Sequence, residues 1–267
     1  MKRNILAIIQ ARTGSSRLPD KVFLPLAGMP LLIRMYQRVA SAKTCDSIVI
    51  ATTNRISDDK IEELCNEFNI PCFRGDENDL LDRHYKAAVK YSATHIVKIP
   101  SACPLIDPAI IDRVINFYLN NIDDFDFVSN LHPPSYPDGN DVEIMPLKIL
   151  ETAWVEAAES FEREHTTPFI WERPDRFRIG NVVWETGLDY SMSHRFTIDY
   201  LADYLFIKAV YDEMIDVNPE FTLSDILSIL EKNPNLMKIN RKYAGVNWYR
   251  ENLDKLKTIS PSQTKLL

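Results

Sequence analysis

Residues 12–21, Arg-Thr-Gly-Ser-Ser-Arg-Leu-Pro-Asp-Lys, gather three cations, two serines and one glycine within ten positions. Exposed backbone N–H groups and hydroxyls can wrap phosphate oxygens there, while Arg12, Arg17 and Lys21 offset the phosphate charge. The apolar run Ile5-Leu6-Ala7-Ile8-Ile9 comes just before and reads as a buried strand of a mostly parallel sheet. A strand that opens into such a loop is where an α/β sheet seats a ligand. Neither G-x-x-x-x-G-K-[ST] nor G-x-G-x-x-G is present, so the two common phosphate fingerprints do not apply. An ordinary basic surface loop would have the same composition.

The background makes this loop stand out. The chain has 267 residues, 45% hydrophobic and 26% charged, with a formal net charge of −7. That composition suits a globular chain with ample core, in one large domain or two small ones. An acidic balance argues against a general nucleic-acid binder, so the expected ligand is small and anionic. No apolar run approaches the roughly 18 residues of a membrane span, so no membrane insertion is expected. The N-terminus enters a core strand almost at once, which leaves no room for a cleavable signal peptide. Cys45, Cys65, Cys72 and Cys103 lack metal spacing and read as reduced thiols of a cytoplasmic protein.

Strand and helix signals alternate through the first half. Helices are expected over 30–42, 57–69 (with Ser57 as N-cap), 78–91 and 107–120, and strands over 47–52, 71–74, 94–99 and 126–130. Such alternation implies βαβ units and a three-layer α/β fold. Near His132 the pattern changes. Residues 132–140 read as a loop, 141–145 as a strand, 146–160 and 162–171 as helices. Residues 176–186 look like a strand or hairpin and 195–198 like a short strand, with helices over 200–214 and 223–232. The final residues, ISPSQTKLL, are expected to be loose. There is no internal repeat and no low-complexity tract.

The segment IIQARTGSSRLPDKVFLPLAGMPLL resembles the opening of the sugar-activating cytidylyltransferases, which join CTP to Kdo or sialic-type acids. The spore-coat polysaccharide biosynthesis protein F group fits best. Further matches are Phe73-Arg74-Gly75, Asp79-Leu80-Leu81-Asp82-Arg83, Cys103-Pro104-Leu105-Ile106-Asp107-Pro108 and Tyr136-Pro137-Asp138-Gly139. Asp141-Val142-Glu143, Glu162-Arg163-Glu164-His165 and Arg195-Phe196-Thr197-Ile198-Asp199 continue the series in the expected order. The resemblance implies a Rossmann-like nucleotide-diphosphosugar-transferase fold. It also implies Mg²⁺-dependent nucleotidyl transfer to a sugar or sugar-acid hydroxyl, with release of pyrophosphate. Residues 1–235 would form the nucleotidyltransferase domain, with 132–195 on the substrate side and in a homodimer interface, and 236–267 a C-terminal extension. Arg12, Lys21 and Asp199 would be catalytic. Ala11, Gly14, Ser15, Ser16, Arg17, Thr52, Arg74 and Ala102 would complete the nucleotide pocket. Arg83, Asp107, Asp141, Glu143, Glu164 and His165 would face the sugar. In-line attack at phosphorus needs positioning and charge neutralisation more than covalent help, which agrees with the cationic loop.

Two positions depart from the pattern. The family usually reads Asp-Cys-Pro-Leu-Ile-Asp-Pro, and here Ala102 stands at the first position. By resemblance the missing Asp is one of two carboxylates that hold Mg²⁺, and Asp199 is the other. Losing a preorganised charge of this kind costs about 10² to 10³ in rate. The chain is then an inactivated variant, which the otherwise intact motifs favour, a natural pseudoenzyme, or one in which another carboxylate such as Asp107 compensates. Asp20 replaces a usual Gly and opposes phosphate binding unless it points outward.

Competing readings remain for several residues. Asp199 suits a helix N-cap as well as a metal ligand. Arg74 and Arg83 suit surface ion pairs as well as phosphate contacts. Asp141 and Glu143 alternate along one strand and so face one side, where their mutual repulsion hints at a ligand. His165 is placed to polarise a substrate hydroxyl, while His84, His95, His132 and His194 read as structural. Trp154, Trp171, Trp184 and Tyr190 divide between core and subunit interface. A metal-dependent glycosyltransferase is the alternative enzyme, and Asp124-Phe125-Asp126 matches its D-x-D literally.

Overall fold

Strand β1 (Ile5–Gln10) supplies both cores of the protein, as seen in a computed structural model that describes residues 2–266. Ile5, Ala7 and Ile9 face one layer, and Leu6 and Ile8 the other. Burial on both faces explains why the strand is an unbroken apolar run rather than an alternating one.

A hairpin follows, formed by β2 (Pro25–Leu26) and β3 (Met29–Pro30). Its turn residues Ala27 and Gly28 both have positive φ, 47° and 78°. Then α1 (Leu31–Ala40), β4 (Ser47–Thr53), α2 (Asp59–Glu67), β5 (Cys72–Gly75), α3 (Leu80–Lys90), β6 (His95–Pro100), α4 (Pro108–Asn120) and β7 (Phe127–Ser129) alternate. Beyond a loop lie β8 (Glu143–Pro146), α5 (Leu147–Glu156), α6 (Ser160–His165), α7 (Pro168–Trp171) and β9 (Ile179–Asn181). Helices α8 (Leu201–Met214), α9 (Leu223–Lys232) and α10 (Asn235–Lys238) close the series.

The sheet order is β5-β4-β1-β6-β8-β7-β9, and only β8 runs antiparallel to its neighbours. Helices α1, α2, α4, α8 and α9 pack on one face and α3, α5, α6 and α7 on the other, which makes a three-layer α/β fold with a mostly parallel sheet. From β1 the chain builds outward to β4 and β5, then returns to β6 on the other side. Strand order therefore reverses at β1, and the C-terminal ends of β1 and β6 open a crevice there.

Local differences from the sequence reading have physical causes. Ser57 does not cap the second helix: Ile56–Asp58 form a 3₁₀ turn and α2 starts at Asp59. The helix expected over 162–171 breaks into α6 and α7 at Thr166, whose φ is 73°. Only Ile179–Asn181 of the expected 176–186 strand pairs. Residues 195–198 are not a strand, because the Phe196 and Ile198 N–H groups donate to the isolated carbonyls of Asp138 (2.6 Å) and Ala102 (2.8 Å). Nor is the C-terminal segment loose. Tyr249, Leu256 and Ile259 enter the core beside α5 and α7, the Lys265 N–H donates to the Gly245 carbonyl (2.8 Å), and the Asn247 amide donates to the Gln263 carbonyl (2.8 Å). Of these apolar anchors only Ile259 lies within ISPSQTKLL, whose polar composition hides it.

Arg195 fastens this segment to the rest. Its side chain is 1% exposed and reaches Asp203 (3.0 Å), Asp199 (2.9 Å), Asp138 (3.2 Å) and the Val246 carbonyl. Replacing Arg195 by Met leaves Asp203, itself fully buried, without a cation. The expected cost is about 3–5 kcal/mol, or a fall in Tm of about 10 °C in thermal unfolding. A variant that melts with the parent protein would show the network to be dispensable.

His84 sits fully buried on α3, where Nδ1–H donates to the Leu80 carbonyl (2.9 Å) and Nε2 has no partner among the described residues. Burial pulls its pKa down to about 3. The unfolded residue titrates near 6.5, so this group's contribution is complete above that pH and is lost progressively as pH falls towards 3. At pH 5 the loss is about 2 kcal/mol. Urea unfolding at pH 7.5 and pH 5 should therefore show a smaller acid-induced drop in His84→Leu than in the parent. Equal drops would mean that His84 protonates freely in the folded state.

Candidate active site

Asp58 shapes the loop that follows β1. Its side chain accepts the N–H (2.8 Å) and hydroxyl (2.6 Å) of Thr13 on Oδ1 and the Thr53 hydroxyl on Oδ2. Burial alone would raise this carboxyl, yet the hydrogen bonds from Thr13 and Thr53 hold it below its ordinary value. The Thr13 carbonyl accepts from the N–H groups of Ser15 (2.8 Å) and Asp20 (3.1 Å), which curls the loop. The N–H groups of Gly14, Ser16 and Arg17 have no acceptor among the described residues. Asp20 points away from them and pairs with Lys60 (2.7 Å).

A cavity of about 350 Å³ lies against the loop. Ala11, Arg12, Ser15, Ser16, Arg17 and Lys21 line it from β1 and the loop, Ala102 from the end of β6, and Asp199 from the N-terminal side of α8. Arg83, Glu77, Glu164, His165, Trp248 and Glu251 are also part of its wall. Two of its cations lack acidic partners among the described residues. Arg12 is exposed and makes no ion pair. Arg83 is 3% exposed, its Nη1 only 3.3 Å from the Asp76 carbonyl and its Nε without a partner. Burial first, then repulsion by Arg12, pulls the Arg83 pKa down to about 10. A buried cation so poorly paired favours an anion beside it.

Asp199 forms the floor between several segments. Its Oδ1 meets Arg17 (2.8 Å) and Lys21 (3.5 Å), and its Oδ2 meets Arg195 (2.9 Å). Although burial opposes it, attraction to Lys21, Arg17 and Arg195 holds this carboxyl far below the usual carboxylate range. Lys21 also donates to the Ile198 carbonyl (2.6 Å), and burial lowers its pKa. Asp199 is not a helix cap: Tyr200 takes the N-cap position of α8, and the Asp203 carboxylate accepts the N–H groups of Asp199 and Tyr200 (2.9 Å each). Ala102 stands beside this floor, its carbonyl accepting from Ile198 N–H (2.8 Å) and the Thr197 hydroxyl (3.2 Å).

Among the described residues no group of three or more Asp, Glu, His or Cys side chains is placed to hold one metal ion. Mg²⁺ needs less, commonly one or two carboxylates plus substrate phosphates. Asp199 fits that smaller demand, and the Ala102 methyl adds nothing to it. Asp107 does not compensate. Its carboxylate caps α4 through the Ala109 N–H (2.8 Å) and accepts the Leu223 N–H (2.6 Å).

A second cavity, about 250 Å³, shares Arg17, His165, Asp199 and Trp248 with the first. Lys98 on β6 and Glu143 on β8 face each other across the antiparallel ladder and form a buried ion pair (2.6 Å). Asp138 and Asp141 extend the same wall. His165 stacks on Trp248 with ring centroids 3.8 Å apart, and burial pulls its pKa down to about 3, which keeps it neutral. Gly139 explains the Tyr-Pro-Asp-Gly motif. Its φ is 109°, and an added Cβ would lie 2.6 Å from the Phe196 carbonyl carbon. Only glycine lets this loop clip against residues 195–197 and so set the position of Asp199.

Other expected site residues lie elsewhere. Arg74 pairs with Asp59 (2.6 Å) and Glu62 (3.0 Å) on α2 and donates to the Thr53 and Arg55 carbonyls, so it braces β5 rather than lining the cavity. Thr52 is fully buried and lines neither cavity. Gly14 neighbours Ser15 and Ser16 without itself lining the wall. Asp126 binds Arg178 (2.8 Å) and precedes β7. Because β7 runs parallel to β6, the Asp124-Phe125-Asp126 triplet sits at the sheet edge opposite the crevice. Trp171 and Trp184 are buried, and Trp154 stacks on Tyr85 (4.3 Å). Asp58, Lys98 and Trp248 were not singled out from the sequence. The Lys98–Glu143 pair had a faint signal in its acid opposite a strand lysine, and the other two had none.

Residues 6–232 match a family model described as cytidylyltransferase. The chain is 37% identical over 239 residues to an uncharacterized protein of Methanocaldococcus jannaschii, a match that covers 88% of this chain and 94% of that one. It is 31% identical over 237 residues to the spore coat polysaccharide biosynthesis protein SpsF of Bacillus subtilis, with 87% and 96% covered. A solved cytidylyltransferase from Leptospira borgpetersenii superposes with a TM-score of 0.81 at 32% identity, covering 89% of this chain and 97% of that one. The match runs from β1 through α9 and takes in the cationic loop and Asp199, and the chain belongs to the cytidylyltransferase family.

Proposed function

We propose that this chain transfers the cytidylyl group of CTP to a sugar hydroxyl and releases pyrophosphate, as a step in surface polysaccharide or glycoconjugate synthesis. The observation that carries this reading is the pairing of two cavities across Arg17 and Asp199. One is lined by Arg12 and Arg83, which make no ion pair among the described residues, and by free loop N–H groups, and the other, about 250 Å³, is lined by Lys98, Asp138, Asp141, Glu143 and His165. The triphosphate occupies the first cavity. Arg12, Arg83 and the N–H groups of Ser16 and Arg17 meet its charge. The acceptor oxygen forms the new bond to the α-phosphorus, the bond to the bridging oxygen breaks with pyrophosphate keeping the electron pair, and the hydroxyl proton passes to water. Lys21 neutralises charge developing at the α-phosphate.

Mg²⁺, bound with the triphosphate, supplies further charge neutralisation, and Asp199 is the residue that would hold it. With Ala102 in place of a second carboxylate the chain works below the rate its other residues permit. Residues 1–235 carry the transferase domain, and residues 236–267 wall the acceptor side through Trp248. The free thiols of Cys45, Cys65, Cys72 and Cys103 suit a reducing cytoplasm. Val183 and Leu188, exposed within 132–195, suit a homodimer interface.

Calorimetry with CTP, UTP, ATP and GTP in the presence of Mg²⁺ tests the nucleotide. CTP should bind selectively, and Arg83→Met should weaken it about 10- to 100-fold, since a hydrogen bond to a charged group contributes about 1.5–3 kcal/mol. Binding without preference for CTP would overturn the reading. For catalysis, Ala102→Asp should raise CTP- and sugar-dependent pyrophosphate release about 10²- to 10³-fold. If release stays at background in both forms across a broad sugar panel, the chain is a nucleotide-binding pseudoenzyme.

A further inference from the structure

The second cavity takes part of its wall from beyond residue 232, where the family match ends. Trp248–Glu251 form a 3₁₀ turn there. Contacts on several sides hold the turn in place. The Asn247 side chain accepts the Tyr249 N–H (3.1 Å) and donates to the Gln263 carbonyl (2.8 Å), the Val246 carbonyl accepts from Arg195, and Tyr249 is buried in the core. Trp248 is half-buried and stacks on His165, and it lines the phosphate-side cavity as well, so it stands where the two spaces meet. Arg250, also on the wall, differs from the other cations there. Lys98 is spent on Glu143 (2.6 Å), Arg195 on Asp138, Asp199 and Asp203, and Arg17 on Asp199 (2.8 Å). Arg250 donates to the Asn247 carbonyl (3.2 Å) and to Glu251 (2.9 Å), whose side chain is 57% exposed. An ion pair with so exposed a partner is weak, and the remaining donors of the guanidinium are unused among the described residues.

We propose that this turn recognises the acceptor, with Arg250 meeting a carboxylate on the sugar and Trp248 packing against its ring. The inference rests on the cytidyl-transfer reading above and adds to it the residues that choose the acceptor. Asp138, Asp141 and Glu143 reach the cavity from β8 and the loop before it, and they repel a carboxylate that turns towards them. Arg250 reaches it from the C-terminal segment with donors to spare, and a guanidinium can pair with a carboxylate through two parallel hydrogen bonds. The acid group is thereby drawn to the C-terminal side, where it joins or displaces Glu251. The indole offers a rigid apolar surface to the C–H groups of the ring, at little cost in side-chain freedom. Arg250 reads the charge of the acceptor and Trp248 its shape.

The test uses the full chain loaded with CTP and Mg²⁺ and measures binding of Kdo, N-acetylneuraminate and the methyl ester of each, which keeps the ring and removes the charge. The acid that binds best should bind about 10-fold or more tightly than its ester. Arg250→Gln should weaken that acid about 10- to 100-fold and leave the ester within about threefold. Arg250→Lys should keep part of the preference for the acid, and it carries the comparison if Arg250→Gln does not fold. Trp248→Ala should weaken acid and ester alike, about 10-fold, and Trp248→Phe should restore most of that loss. Equal losses of acid and ester in Arg250→Gln, an ester bound as tightly as its acid, or no acid bound at millimolar concentration would each overturn this inference alone, provided CTP still binds selectively. Loss of selective CTP binding would remove the reading on which it rests.

Discussion

One guanidinium holds the floor of the crevice together. Arg195 is buried among three carboxylates and a backbone carbonyl, and these come from separate parts of the chain: Asp138 from the loop before β8, Asp199 and Asp203 from the start of α8, and Val246 from the C-terminal segment. Arginine suits this position because its planar fork presents five donors in fixed directions, whereas one ammonium could not span four acceptors. The carboxylates around it remain in excess, and Arg17 and Lys21 approach Asp199 from the open side to balance them. Asp199 therefore stands at the centre of a charge lattice, ionised and fixed, with its second oxygen turned inward.

That lattice divides the cations of the nucleotide side into two kinds. Arg17 and Lys21 are partly spent on Asp199, so their attraction for an incoming phosphate is reduced by the attraction they already satisfy. Arg12 and Arg83 have no such partner, and the burial of Arg83 makes its lack of one costly. An entering anion would gain most by meeting Arg12 and Arg83, because Arg17 and Lys21 already hold Asp199. The two cavities acquire different character from this arrangement. One has cations to spare, and in the other Lys98 and Arg195 are spent on acids, with the Arg17–Asp199 pair between them.

Much of the fold was legible because its signals are local. The run Ile5-Leu6-Ala7-Ile8-Ile9 announces a doubly buried strand without reference to any partner, and the helix–strand alternation up to β7 follows from spacing alone. The loop cations, Asp199 and the Asp141–Glu143 pair, picked out by residue type, all line the crevice. What stayed hidden depends on contacts distant in sequence. Nothing around Arg74 reveals that Asp59 and Glu62 claim it, and nothing around Thr13 reveals that Asp58 anchors it. Asp107 is a different case. Pro108 at the first helical position marks Asp107 as a helix cap, and that local signal was outweighed by the motif around it. The ISPSQTKLL stretch misled through composition: its polar residues are many, and its anchor Ile259 acquires meaning only once α5 and α7 provide a core for it.

Ala102 alters the balance of this site without altering its shape. Its carbonyl receives the Ile198 N–H and the Thr197 hydroxyl as any residue there would, so the backbone that positions Asp199 is kept. Only charge is changed. A second carboxylate at position 102 would share Lys21 and Arg17 with Asp199 and give a divalent cation two anionic ligands. With a methyl group in its place, three cations converge on a single carboxylate, and that carboxylate is held far below its usual pKa. Such a floor is better at holding phosphate than at holding metal, because removing the acid strengthens the local positive potential while it weakens the ligand set. On the proposed reading, nucleotide binding and metal-assisted transfer, which two acids would couple, become separable properties, and the residue that would separate them lies just beyond β6, beside the strand that leads into the cationic loop.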